Sequence, residues 1–176
     1  MRIAIVMALS IVVTPSSAEP RRDTTTRLHR FYGTPDGYAA VTRDVMKWHK
    51  TRRNGCVAFA STALRHIGVA IPTDVQIDGS NVSRITRAFS RYLAETLGWT
   101  RIDTLDALRL GDLVFSTDAP CCPGYPNHVV MFDGWQKRDQ RIARVVDNNG
   151  FHIARPMVAD PGAAIDGFGY ALRAPN

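Results

Sequence analysis

Cysteine is scarce in this chain: three residues in 176, at positions 56, 121 and 122. No two are spaced as C-x-x-C, which argues against a thiol redox protein. After residue 13 no apolar run is long enough for a transmembrane helix. There is no internal repeat and no low-complexity block, which leaves out solenoids and extended tails. The acidic positions Asp74 and Asp78 and the DNNG turn at 147–150 do not reproduce a calcium-loop spacing. The basic residues are scattered rather than clustered, so nucleic acid is not an expected partner.

The formal net charge is +6. Charge of this sign draws a protein toward anionic polymers and surfaces but defines no activity. At the N-terminus, Arg2 precedes an apolar run over 3–13, followed by Ser16-Ser17-Ala18. The run is too short to span a bilayer, and the small residues suit signal peptidase. We read 1–18 as a secretory signal cleaved after Ala18. The expectation is a secreted or periplasmic protein with no stable membrane insertion once the signal is removed. An uncut N-terminal anchor is the alternative.

Residues 19–36 are polar and threonine-rich and are expected to form a lead-in. Residues 37–176 then suit one domain. A helix is expected over 37–50, with Tyr38, Val41, Val45 and Trp48 on one face. A second should run from Cys56 to about His66, its stripe being Cys56, Phe59, Ala60, Ala63, Leu64 and Ile67, with Gly68 ending it. A third is expected over 81–97, with Val82, Ile85, Phe89, Leu93 and Leu97 inward. Beyond Gly98 the pattern changes to short β-branched runs, LGDLVFST, NHVVMFDGW, QRIARVVDNNG and GFGYALRA, which predict strands. Helices first and antiparallel strands second predict an α+β fold.

Cys56 opens the second helix. There the unpaired N–H groups and the helix dipole favour thiolate, the reactive form of cysteine. A buried, inert cysteine is the alternative. A nucleophile needs a histidine. His66 is ten residues along the same helix, about 15 Å away at 1.5 Å per residue. His29 and His49 lie in polar segments, and His152 is a runner-up. His128, at the mouth of the apolar strand HVVMF, is the best placed. If strands 128–134 and 141–147 pair about a turn at 136–139, His128 faces Asp147. Alternation then puts His128, Val130, Phe132, Val145 and Asp147 on the helix-facing side. Asn148 should point away, and Asn149 could return to the site. Cys121 and Cys122 sit in the stiff loop APCCPGYPN. Adjacent cysteines bridge only under strain, so free thiols, a metal contact or an interchain bond all stay open.

Cysteine at a helix start in GCVAFASTAL, then LRLGDLVF, HVVMF and VVDNNG, resembles the papain-like cell-wall hydrolases, the CHAP amidases and NlpC-type peptidases. The CHAP order is cysteine, histidine, then an acidic residue and an asparagine two apart, and Cys56, His128, Asp147 and Asn149 match it. Asp147 stands where glutamate is common, and Gly55 where glutamine is frequent. The resemblance covers roughly 37–150. It implies a papain-like domain, N-terminal helices on a C-terminal antiparallel sheet, that hydrolyses amide bonds in peptidoglycan stem peptides or cross-bridges with no cofactor and no metal. A non-catalytic wall-binding protein on the same fold and a thiol acyltransferase or transglutaminase-like enzyme are the alternatives.

Overall fold

The computed structural model describes residues 23–118, 122–158 and 167–175. The signal segment expected over 1–18 and Cys121 lie outside them.

Three helices come first. In α1 (Thr24–Tyr32), Asp23 caps the start by accepting the Thr25 N–H. In α2 (Pro35–Trp48), Thr34 accepts the Gly37 N–H and Pro35 occupies the first turn, where its missing N–H costs nothing. In α3 (Cys56–His66) every residue from Cys56 to Leu64 is buried. The three helices pack on one another, and α3 lies on the sheet. A two-residue ribbon, β1 (Gln76–Ile77) and β2 (Ser80–Asn81), precedes α4 (Thr86–Arg91), which runs on into a π-helical turn over Tyr92–Thr96.

The sheet contains β3 (Thr100–Ile102), β4 (Leu113–Ser116), β5 (Val129–Lys137), β6 (Ile142–Val146), β7 (Ile153–Pro156) and β8 (Phe168–Arg173). Its order is β3-β8-β4-β5-β6-β7, and every neighbouring pair is antiparallel. One face carries Leu113, Phe115, Val129, Met131 and Val146 against the helices. The other carries Val114, Val130, Phe132, Ala143, Val145 and Ala171 under a smaller apolar layer that includes Leu105, Leu108 and Met157. This is an α+β architecture, with four α-helices and a six-stranded antiparallel sheet among the described residues.

Three expectations need correction. Where it is described, from residue 23, the expected lead-in is an integral part of the domain: it holds α1, and Leu28 and Tyr32, one turn apart, are buried in the main core. The helix expected over 81–97 is interrupted at its start. Asn81 accepts the Ser83 N–H at 2.9 Å and donates to the Thr73 carbonyl at 2.9 Å, which holds 81–85 in a turn. The β5–β6 hairpin turns at 138–141, with Arg141 at φ 53°, and its register near the site pairs Met131 with Val146. That is two residues from the expected pairing, so side chains keep their parity. The facing is nonetheless reversed, because Val130, Phe132 and Val145 belong to the cluster away from the helices.

His29 on α1 also reaches the sheet, bonding buried Asp133 at 2.9 Å. If α1 is integral, Leu28→Ala should lower unfolding free energy by about 2–5 kcal/mol. Chemical denaturation measures this, and an unchanged midpoint would show that α1 is dispensable.

Candidate active site

The turn HKTRRNG delivers Cys56. Asn54 adopts a left-handed φ of 53°, and Gly55 donates to the Arg52 carbonyl at 3.1 Å. A Cβ on Gly55 would lie 2.8 Å from that carbonyl oxygen, so glycine is required for so close an approach. Gly55 caps α3 without a side chain. The first N–H groups of the helix, that of Cys56 among them, therefore have no side-chain acceptor. Cys56 is a free thiol, 9% exposed at the floor of a cleft.

His128 lies one residue before β5. Its backbone is clamped by Ser116 on β4: the His128 N–H donates to Ser116 Oγ at 2.9 Å, and the Ser116 N–H donates to the His128 carbonyl at 3.1 Å. Its ring Nε2 meets Asp147 Oδ2 at 2.7 Å, and the ring lines the same cleft as the Cys56 thiol, close enough for the two to interact electrostatically. Both His128 and Asp147 stand just beyond the ends of their strands. Strand alternation does not govern them there, so they reach round the sheet rim to Cys56 although Val130 and Val145 face the other way.

The Asp147 side chain is fully buried. It accepts the Asn149 N–H at 2.7 Å and the Gly150 N–H at 3.2 Å on Oδ1, and Asn149 Nδ2 lies 3.3 Å from Oδ2. Asn149 thus returns to the site, as expected. Asn148 does not point away. It is 6% exposed, lines the cleft, and donates from Nδ2 to the Arg52 carbonyl at 2.9 Å, tying the DNNG turn to the turn before Cys56.

Two contributors escaped the sequence. Ser116 is one. The other is Arg155 on β7, whose Nη2 donates to Asp147 Oδ2 at 2.9 Å and approaches His128 Nε2 at 3.5 Å. The residues IARP of β7 carry no alternating apolar pattern that would show a strand, and nothing local points Arg155 at Asp147. The remaining histidines lie elsewhere: His66 pairs with Asp44 at 3.0 Å, and His29 and runner-up His152 both bond Asp133.

Burial alone would lower the pKa of His128. The hydrogen bond to Asp147 and the interaction with Cys56, with the charges of those two groups, outweigh it and push the value up to about 9. Burial would raise Asp147. The hydrogen bond and charge of His128, the Arg155 guanidinium and the Asn149 N–H hold it below the usual carboxylate range instead.

Cys122, left open by the sequence among several states, is disulfide-bonded. Since Cys56 is free, no bridge blocks it. Among the described residues no group of three or more His, Cys, Asp or Glu side chains is placed to hold a metal ion, and no helix is long and apolar enough to cross a membrane. Compared with known proteins, the chain matches no family model, no curated protein and no solved structure.

Two outcomes follow from the electrostatics. The His128 pKa stands above its unfolded value of about 6.5, so its contribution to stability is complete below that pH and is lost as pH rises through about 9. Because Cys56 contributes to raising it, Cys56→Ala should bring the His128 titration, followed by NMR, down from about 9; an unmoved titration would break the Cys56–His128 coupling. Arg155 favours the Asp147 anion. Arg155→Met should therefore raise the Asp147 pKa and move the acid limb of any Cys56-dependent reaction to higher pH. Carboxylate NMR and a pH profile of thiol alkylation read this, and an unchanged acid limb would remove Arg155 from the site.

Proposed function

We propose that this chain is an exported cysteine hydrolase of the papain-like type that cleaves amide bonds, with peptidoglycan stem peptides or cross-bridges as its substrates. The observation that carries the reading is the file Cys56–His128–Asp147: a free thiol at an open helix start, sharing one cleft with an imidazole held at 2.7 Å by a buried carboxylate. The N-terminal signal and the ordered motifs that resemble CHAP and NlpC-type enzymes supply the compartment and the substrate class.

On this reading, Cys56 attacks the carbonyl carbon as thiolate. The tetrahedral oxyanion accepts a hydrogen bond from the Cys56 backbone N–H, one of the uncapped donors in the first turn of α3. His128, charged at neutral pH, gives its proton to the leaving amine, and the C–N bond breaks to leave a thioester on Cys56. Neutral His128 then takes a proton from water as the water attacks the thioester, and the acid leaves with Cys56 restored. Asp147 fixes the ring orientation and stabilises the imidazolium throughout. Asn149 and Arg155 hold Asp147, so both act through it. No step calls for a metal or a cofactor.

A transferase would use the same thioester and differ only in what attacks it. The open cleft lets water compete, which favours hydrolysis over transfer.

The test is digestion of purified peptidoglycan, with fragments identified by mass. Wild type should release new amine termini. Cys56→Ala and His128→Ala should each lose activity by at least about a thousandfold while keeping a cooperative unfolding transition. Full activity in either variant would overturn the reading, and a new isopeptide in place of a new amine would turn it to acyl transfer.

A further inference from the structure

The cleft over Cys56 has a volume of about 500 Å³ and is lined from four segments: 53–56, 84–86, 125–128 and 148–149. Its charges are of one sign. Arg53 and Arg84 line it, His128 adds a third cation at neutral pH, and no aspartate or glutamate is among the lining residues. Neither arginine has a carboxylate partner among the described residues. By contrast Arg155, behind His128, is neutralised by Asp147, and Arg52 turns its guanidinium to the Tyr38 hydroxyl and the Tyr38 and Phe59 rings.

The Arg84 guanidinium lies over the ring of Trp48, the last residue of α2, 5.6 Å from its centroid. Its neighbour Thr86 donates a short hydrogen bond to the Pro126 carbonyl, fixing the wall that carries Tyr125 and Asn127. Arg53 sits in the turn fastened by two bonds to the Arg52 carbonyl, from the Gly55 N–H at 3.1 Å and from Asn148 Nδ2 at 2.9 Å. A cleft lined by two arginines without a carboxylate partner, and otherwise by amide, hydroxyl and apolar walls, suits an anion, and guanidinium geometry matches a carboxylate in particular.

We infer that Arg53 and Arg84 select a substrate with a free carboxylate beside the scissile amide, an acidic peptide rather than a neutral or basic one. This deepens the hydrolase reading and rests on it for the word scissile. The charge selection itself does not need catalysis and can be measured without it.

The experiment compares alkylation of Cys56 in the full chain by iodoacetate, an anion, and by iodoacetamide, its neutral isostere. Both form the same S–C bond with loss of iodide, so the neutral reagent normalises for thiol reactivity. Attraction by His128 is common to all proteins compared. In Arg53→Met/Arg84→Met the iodoacetate-to-iodoacetamide rate ratio should fall about fivefold to tenfold from wild type at low salt, as expected for losing two charges near the thiol. Both side chains are exposed, so the variants should fold normally. Arg53→Lys/Arg84→Lys should recover most of the ratio. An unchanged ratio in the methionine variant overturns the inference.

A second arm uses Cys56→Ala and a pair of fluorescent peptides that differ only by glutamate against glutamine. The glutamate peptide should bind about tenfold tighter or more, and Arg84→Glu in that background should abolish the difference. Equal binding overturns the inference. If Cys56 resists both alkylating reagents, the hydrolase reading fails, while the peptide arm still decides the charge selection.

Discussion

The burial of the Asp147 carboxylate is the constraint around which this end of the molecule is assembled. An ionised carboxylate without water is destabilised by several kcal/mol unless its lone pairs are filled. Here the donors come from distant parts of the chain: the His128 ring from the start of β5, the Arg155 guanidinium from β7, and the Asn149 and Gly150 N–H groups from its own turn. Filling those lone pairs fixes the position of β7 against β6, the conformation of the DNNG turn and the orientation of the imidazole. The site is therefore a consequence of solvating one buried charge with protein groups. Loss of any donor disturbs the others because they share two oxygen atoms.

The same device recurs at two more joints. Asp133, on β5, bonds His29 of α1, Arg144 of β6 and His152, and so fastens the helical layer to the sheet and the far end of the 147–152 loop to β5. Asp112, fully buried ahead of β4, takes Arg173 at the end of β8 and the Arg109 N–H. Each buried aspartate joins elements that the apolar core alone would leave free to slide, because hydrophobic contact is non-directional and charge-assisted hydrogen bonds are not. The loop between Asp147 and His152 is held at both ends. Its middle, through Asn148, holds the turn that presents Cys56. Cys56 and His128 thus sit on different layers but are positioned by one connected set of bonds.

How far this could be read beforehand follows from the range of the interactions involved. The α3 helix was legible to the residue, Cys56 to His66, because its stripe has the helical period and Gly68 stops it. Cys56, His128 and Asp147 were legible because each lies at the boundary of a strongly patterned element. The α1 helix was hidden by its polar composition, TTTRLHRFY, in which only Leu28 and Tyr32 give the apolar face. The expected facing of His128 failed inside the ladder, where Val130, Phe132 and Val145 turn to the smaller apolar layer; His128 and Asp147 escape that layer because they stand past the strand ends, where alternation no longer governs them. Asn148 was misplaced for the same reason. Arg155 and Ser116 could not be read at all: their roles depend on which strands become neighbours, and β7 is a four-residue edge strand ending at Pro156.

The raised pKa of His128 bears on which chemistry the site can serve. A histidine with a value near 6.5 is mostly neutral at pH 7 and can take a proton from a hydroxyl nucleophile, as in serine triads. At about 9, His128 is charged at that pH and has no free lone pair for that task. It is suited to a nucleophile that does not need it as a base in the attacking step, and a thiol is one, since thiolate is accessible near neutral pH where alkoxide is not. The same charge makes His128 a ready acid for an amine leaving group, which must be protonated before a C–N bond can break. On the proposed reading the buried Asp147 therefore does more than orient the ring. By keeping the imidazole charged it commits the site to sulfur as nucleophile and to amides as the bonds that profit most from it.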